Sequence, residues 1–284
     1  MTDTTARISM VPDTVPPAAP PAPAPAAGVE AGTGRMRSLS RRAAAEAIGT
    51  FVLVLIGTGA VMVNVGSRGL LGHAGVAAAF GAVVTAMVYA LGHVSGAHIN
   101  PAVTVALSST GCFPRREVGP YLAAQCAGAV AASFTLRALL GTVGGLGATL
   151  PALGAARTFV VEWLLSFVLM FVIVSVTTDE RVVPGFAAIP VGLVVGFGVL
   201  VGGPLTGGSM NPARSLGPAI AAGTWAGHWI YWAAPVTAML AAVRVYELLR
   251  PAGTFVDGPP PPRVEAPVPA DERLAAEPTR SGPA

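Results

Sequence analysis

A chain of 284 residues with 53% hydrophobic and only 11% charged residues is not an ordinary soluble domain, where about 25% charged residues are usual. All 17 basic residues are Arg and sit mostly at the ends of apolar runs, so the net charge of +3 does not mark a nucleic-acid-binding face. The two cysteines, Cys112 and Cys126, give neither a metal-ligand spacing nor a disulfide framework, and read as small apolar residues.

Residues 1–33 are rich in Pro and Ala and have almost no large apolar side chains. They are expected to form a disordered tail. The first apolar run begins near Ala43, too far in and too long for a cleavable signal peptide. It is the first of six, at about 43–65, 73–92, 117–140, 157–178, 184–202 and 227–249. Each is near the ~20 residues a helix needs to cross the hydrocarbon core. Two shorter runs, 100–110 and 211–221, are half that length and each begins with Asn-Pro. Half-length runs of this kind read as re-entrant segments. The fold class is thus an all-α membrane protein, with six transmembrane helices and two re-entrant half-helices in a domain at 34–250. Residues 251–284, with Pro259 to Pro262 in a row, are a second expected tail.

Arginines in the short flanks set the orientation. Arg35, Arg37, Arg41 and Arg42 precede the first span, Arg115 and Arg116 the third, Arg181 lies between the fourth and fifth, and Arg244 and Arg250 end the sixth. These fall on one side, against Arg68, Arg137 and Arg157 on the other. Both termini are expected to be cytoplasmic, in a multi-pass protein of the cell membrane.

The chain repeats itself. Residues 45–53 parallel 161–169, and 96–102 parallel 207–213. Repeat one covers about 43–140 and repeat two about 157–249. Three spans in each half force the second repeat to be inverted, and inverted repeats place a pathway at their interface near the midplane.

Asn-Pro has a definite meaning at the start of a half-helix. Asn is a strong N-cap, and Pro at the first helical position loses no intrahelical bond. Asn100-Pro101-Ala102 and Asn211-Pro212-Ala213 therefore mark two helix N-termini, brought to mid-membrane from opposite sides. Each end carries roughly +0.5 of a charge, so the pair opposes cations and protons while the Asn amides still donate to a neutral molecule. The segments before them must be non-helical, and their carbonyls must avoid lipid. Gly96, Ala97 and His98, and Gly207, Gly208 and Ser209, are expected to turn a ladder of carbonyl acceptors toward water.

The stretches Ser95-Gly96-Ala97-His98-Ile99-Asn100-Pro101-Ala102-Val103-Thr104 and Ser209-Met210-Asn211-Pro212-Ala213-Arg214-Ser215 resemble the two signatures of the aquaporin, or major intrinsic protein, family. The likeness covers about residues 43–249. It implies a homotetramer with one pore per subunit and the inverted-repeat fold. The spans show no Ser/His/Asp set, His-Glu-x-x-His or acidic metal pair, so neither enzymatic activity nor a cofactor is expected. It also implies a constriction formed by Phe80, Val199, Gly208 and Arg214. Val at 199 and Gly at 208 stand where water-selective members carry His and a larger side chain, so a wider filter is expected. The stretches 111–114, 123–125 and 203–205 resemble the nodulin-like intrinsic proteins, a branch that passes glycerol and uncharged metalloid acids such as boric or arsenious acid. Phe80 departs from that branch. The expected function is passive passage of water and such solutes with exclusion of ions; a strict water channel and a secondary transporter of a small neutral solute stand as alternatives.

Glu46 and Glu162 are single carboxylates inside spans, where an acidic residue costs at least ~2.5 kcal/mol on insertion scales. They are read either as a proton relay or as anchors for the loops carrying Asn-Pro-Ala. Their equivalence across the repeat favours anchors, and the resemblance agrees. His93 and His98 are read as loop residues and not as metal ligands, His73 and His228 as interfacial. Trp225, Trp229, Tyr231 and Trp232 are read as an aromatic belt.

Overall fold

The computed structural model describes residues 38–178 and 186–249. Within them the chain runs as α1 (Leu39–Gly66), α2 (Gly72–Ser95), α3 (Pro101–Ser109), α4 (Val118–Leu140), α5 (Ala155–Thr178), α6 (Ala188–Thr206), α7 (Pro212–Ala222) and α8 (Ile230–Leu249). Short 3-10 turns at Arg115–Glu117 and Val143–Gly147 precede and follow α4. Six of the described helices are long and apolar enough to cross a membrane; α3 and α7 are the two half-length ones. The two expected tails and Arg181 lie outside the described residues.

Several boundaries differ from the sequence reading by three or four residues, those of α1 and α6 among them. α1 begins at Leu39, not near 43, because the helix continues through Arg41 and Arg42 to Ser38. α6 runs to Thr206, beyond the apolar run read at about 184–202 and through Pro204. Proline removes one hydrogen bond without ending a helix whose neighbours hold it in place. The stop comes instead at Gly207, left-handed at φ 92°, just as α2 stops at Gly96 with φ 89°. In both, the glycine N–H bonds a carbonyl four residues back, of Gly203 and Gly92 respectively. Left-handed closure of this kind is what glycine does without steric cost.

The two repeats interlock. α1 packs on α4 and α5 on α8 within each repeat, and α2 packs on α6 between them. Each half-helix reaches across: α3 lies against α8, and α7 against α4. The core is layered with small residues that let backbones approach. Gly128 of α4 is one; a Cβ there would run into the Ala47 carbonyl oxygen and come within 3.1 Å of the Phe51 nitrogen on α1. Gly119 on the same helix faces open space.

Overpacking a closed contact costs about 1–3 kcal/mol or more. Gly128→Val is therefore expected to lower the melting midpoint and the yield of folded protein in detergent, and Gly119→Ala to leave both unchanged. Thermal denaturation of the two variants beside the parent checks this.

Candidate functional site

The residues before each Asn-Pro-Ala adopt an unusual backbone. Ala97, Ile99 and Met210 have φ of 47°, 42° and 52°, and Gly96, Gly207 and Gly208 are also left-handed. Non-glycine residues in this region cost of order 1–3 kcal/mol each and persist only where the surroundings impose them. A buried carboxylate imposes them in each repeat. Glu46, fully buried on α1, accepts from the Ser95 hydroxyl at 2.7 Å and the His98 N–H at 2.9 Å on Oε1. Its Oε2 accepts from the Ile99 N–H at 2.6 Å and the Gln125 amide at 2.8 Å. Glu162, fully buried on α5, accepts from the Thr206 hydroxyl at 2.6 Å, the Ser209 N–H at 2.9 Å and the Met210 N–H at 2.9 Å. Of the two readings of these glutamates, this geometry fits the anchor.

Each loop has a second tie that the sequence reading missed. The Tyr121 hydroxyl donates to the Ser95 carbonyl at 2.9 Å, and the Tyr231 hydroxyl to the Thr206 carbonyl at 2.7 Å. Both rings are fully buried. Tyr231 is thus no part of an interfacial belt; Trp225 and Trp229, at 54% and 60% exposure, are the residues placed for one. The signal was available, because Tyr121 and Tyr231 occupy equivalent places in the repeat.

With the loop N–H groups drawn to the carboxylates, the chain turns its carbonyls elsewhere. Those of residues 96–98 and 207–209 accept no hydrogen bond from the described residues. The next carbonyls meet at the repeat interface. Asn100 Nδ2 donates to the Met210 carbonyl and Asn211 Nδ2 to the Ile99 carbonyl, both at 2.8 Å. Asn100 Oδ1 caps α3 by accepting from the Ala102 N–H at 3.0 Å. Asn211 Oδ1 caps α7 from the Ala213 and Arg214 N–H groups at 3.0 and 3.2 Å. An amide nitrogen has two hydrogens, so each Asn keeps one donor beyond its crossing bond. Pro101 and Pro212 stand at the first helical positions, and Ala102 and Ala213 are fully buried behind them.

Arg214, in the first turn of α7, is 3% exposed. Its Nη1 donates to the Gly147 carbonyl at 2.9 Å, at the end of the Val143–Gly147 turn. Its guanidinium carbon lies 5.0 Å from the centroid of the Phe80 ring, a cation–π contact. Phe80 in turn occupies the space left by Gly57, whose Cβ would collide with the ring. Val199 is buried on α6 and adjoins Gly208: a Cβ on residue 208 would lie 3.2 Å from Val199 Cα and 3.1 Å from the Gly203 nitrogen. Glycine at 208 thus permits both the left-handed turn and close packing on α6, a constraint that filter width alone did not reveal.

The two halves differ around the loops. In the first, His98 Nδ1 is 3.1 Å from the Thr104 hydroxyl, and the rings of His98, Phe113 and Tyr121 contact one another with centroids 4.6–5.4 Å apart. In the second, Thr149, Ser215 and Ser209 form a run of hydroxyls. Arg42, read from sequence only as a topology signal, pairs with the buried Glu117 at 2.7 Å.

Comparison with known proteins agrees with this architecture. The profile of the major intrinsic protein family matches residues 34–246. The chain belongs to the major intrinsic protein family. Among its relatives, Nodulin-26 of Glycine max is 44% identical over 207 residues, which cover 72% of this chain and 76% of the relative. Aquaporin NIP1-2 of Oryza sativa subsp. japonica is 44% identical over 223 residues, 76% and 72% of the two chains. The X-ray structure of the aquaglyceroporin from Plasmodium falciparum matches with a TM-score of 0.65 and 28% identity, covering 74% of this chain and 96% of that one. The nodulin-like branch inferred from 111–114, 123–125 and 203–205 is supported by these relatives. This major intrinsic protein is a membrane channel for water and small neutral solutes.

Removing Glu46 tests the anchor. Glu46→Leu leaves four donors without an acceptor. At roughly 1–3 kcal/mol per buried unpaired group, folded protein is expected to fall sharply. Glu46→Gln keeps one acceptor oxygen and is expected to retain partial folding and partial water flux. Folded yield and stopped-flow water permeability of both variants, at equal reconstituted amounts, decide it; a Glu46→Gln protein that folds fully but loses a proton-coupled flux favours the relay.

Proposed function

We propose that the channel passes water together with glycerol and uncharged metalloid acids such as boric or arsenious acid, and excludes protons and ions. The crossing of Asn100 and Asn211 carries this reading. It brings two positive half-helix ends to one point, with one free amide hydrogen on each side of it. The unpartnered carbonyls of Gly96, Ala97 and His98 lead to that point from one loop. Those of Gly207, Gly208 and Ser209 lead to it from the other. A neutral hydroxylated molecule can exchange its water partners for these donors and acceptors step by step. A cation meets the two helix ends and Arg214.

Phe80, Val199, Gly208 and Arg214 form the selectivity filter in this proposal. Arg214 supplies donors and fixed charge, held by Phe80 and the Gly147 carbonyl. Val199 and Gly208 keep the opposite wall small and apolar, leaving room for a solute bulkier than water. Pro101, Ala102, Pro212 and Ala213 fix the half-helix starts, and Glu46 and Glu162 hold the loops. The proposal extends to a channel domain at 34–250, both termini in the cytoplasm, and a homotetramer in the cell membrane.

Val199→His places a bulky polar ring opposite Phe80. Water needs about one probe sphere of room and is expected to pass. Glycerol and boric acid fluxes are expected to fall by about tenfold or more, in the range of pocket discrimination by shape. Paired water and solute fluxes in one proteoliposome preparation test this. Solute flux in the parent that is linear in gradient and indifferent to sodium and pH supports a channel over a coupled transporter. A parent that carries water but none of these solutes leaves a strict water channel.

A further inference from the structure

We propose that His73 is a positioning residue for the filter, tying α2 to α6 through a backbone carbonyl that Pro204 sets free. Proline has no N–H, so Pro204 inside α6 leaves the carbonyl four residues earlier, that of Leu200, without its helical donor. His73 Nε2 lies 2.7 Å from the Leu200 oxygen. A carbonyl only accepts, so Nε2 carries the proton and donates. The ring fits because residue 203 is Gly; a Cβ there would come within 2.5 Å of His73 Cε1. One residue opens the acceptor, a second makes the space and a third fills it.

The position of this tie gives it a consequence for selectivity, which rests on the filter proposed above. Phe80 is seven residues after His73 on α2, two helical turns on and on the same face. Val199 is the neighbour of Leu200 on α6. The tie therefore joins the two helices that carry opposite filter walls, at the end of α6 from which Gly207 and Gly208 turn inward. Farther along the same contact the helices meet at Gly81 and Gly192, where a Cβ on Gly81 would sit 2.8 Å from the Gly192 oxygen, and the Thr85 hydroxyl beside Gly192 donates within its own helix to the Gly81 carbonyl. The His73 bond, which crosses from one helix to the other, fixes the registry of these closely packed helices beside the filter. A stray unpaired carbonyl in apolar surroundings is costly, so its loss is expected to shift α6.

The test is a double-mutant cycle read as the ratio of glycerol to water permeability in proteoliposomes with equal protein. Pro204→Ala restores the helical N–H and makes the tie redundant; Pro204 is exposed, so the change removes little packing. His73→Leu alone is expected to change the ratio by at least about threefold, the scale of coupling between residues in contact. His73→Gln, which keeps a side-chain donor, is expected to recover at least half of that change. In the Pro204→Ala background His73→Leu is expected to have no effect. An unchanged ratio for His73→Leu, or an equal effect in both backgrounds, overturns the proposal. If His73→Leu does not accumulate, restored accumulation on adding Pro204→Ala supports the tie, and failure to restore it overturns it. A parent that carries no glycerol refutes the wide filter and not the tie; the same cycle is then read on water permeability alone, with the same criteria.

Discussion

The whole arrangement depends on one carboxylate in the interior of each repeat. A loop that re-enters a membrane must satisfy its N–H groups without a helix and without lipid-facing donors. Glu46 and Glu162 do so by accepting the two N–H groups just before each Asn. That demand forces Ala97, Ile99 and Met210 into left-handed conformations. Their carbonyls then face away from the carboxylate. Ser95 and Thr206 add hydroxyl donors, and Tyr121 and Tyr231 tie the carbonyls of those same residues from the other side. The carboxyl group, which is hard to place in a bilayer, is thereby the one that gathers the donors of each loop.

The asparagines extend this logic across the repeats. Each amide caps its own half-helix with oxygen and reaches the opposite loop with nitrogen. The two halves are thus joined at the place where their dipoles would repel each other. α3 against α8 and α7 against α4 lock the same geometry from outside. Arg214 breaks the symmetry. No arginine stands at the matching place in the first repeat, where Val103 occupies it. The second half alone gains a fixed charge, held by Phe80 and the Val143–Gly147 turn.

Much of this was legible in the residues. Paired Asn-Pro-Ala motifs in half-length apolar runs gave the re-entrant helices, and the repeat gave their inversion. Glu46 and Glu162 stood out because isolated carboxylates in spans need partners. Three things were harder to see. The apolar run at about 184–202 stops short of the end of α6, because hydropathy does not register the packing that carries the helix through Pro204 to Thr206. Tyr231 was grouped with its neighbouring tryptophans because local sequence does not separate a buried face of α8 from an interfacial one. Glu117 for Arg42, and Gly147 and Phe80 for Arg214, are partners far away in sequence, and no local pattern specifies them.

Water and proton permeability measured on the same proteoliposomes test the account most directly. Opposed half-helix ends with neutral donors between them predict water flow far above that of protein-free vesicles. They predict no accompanying rise in proton permeability. A proton conductance that increases with the amount of protein, at full water permeability, would contradict a barrier built from the crossing of Asn100 and Asn211.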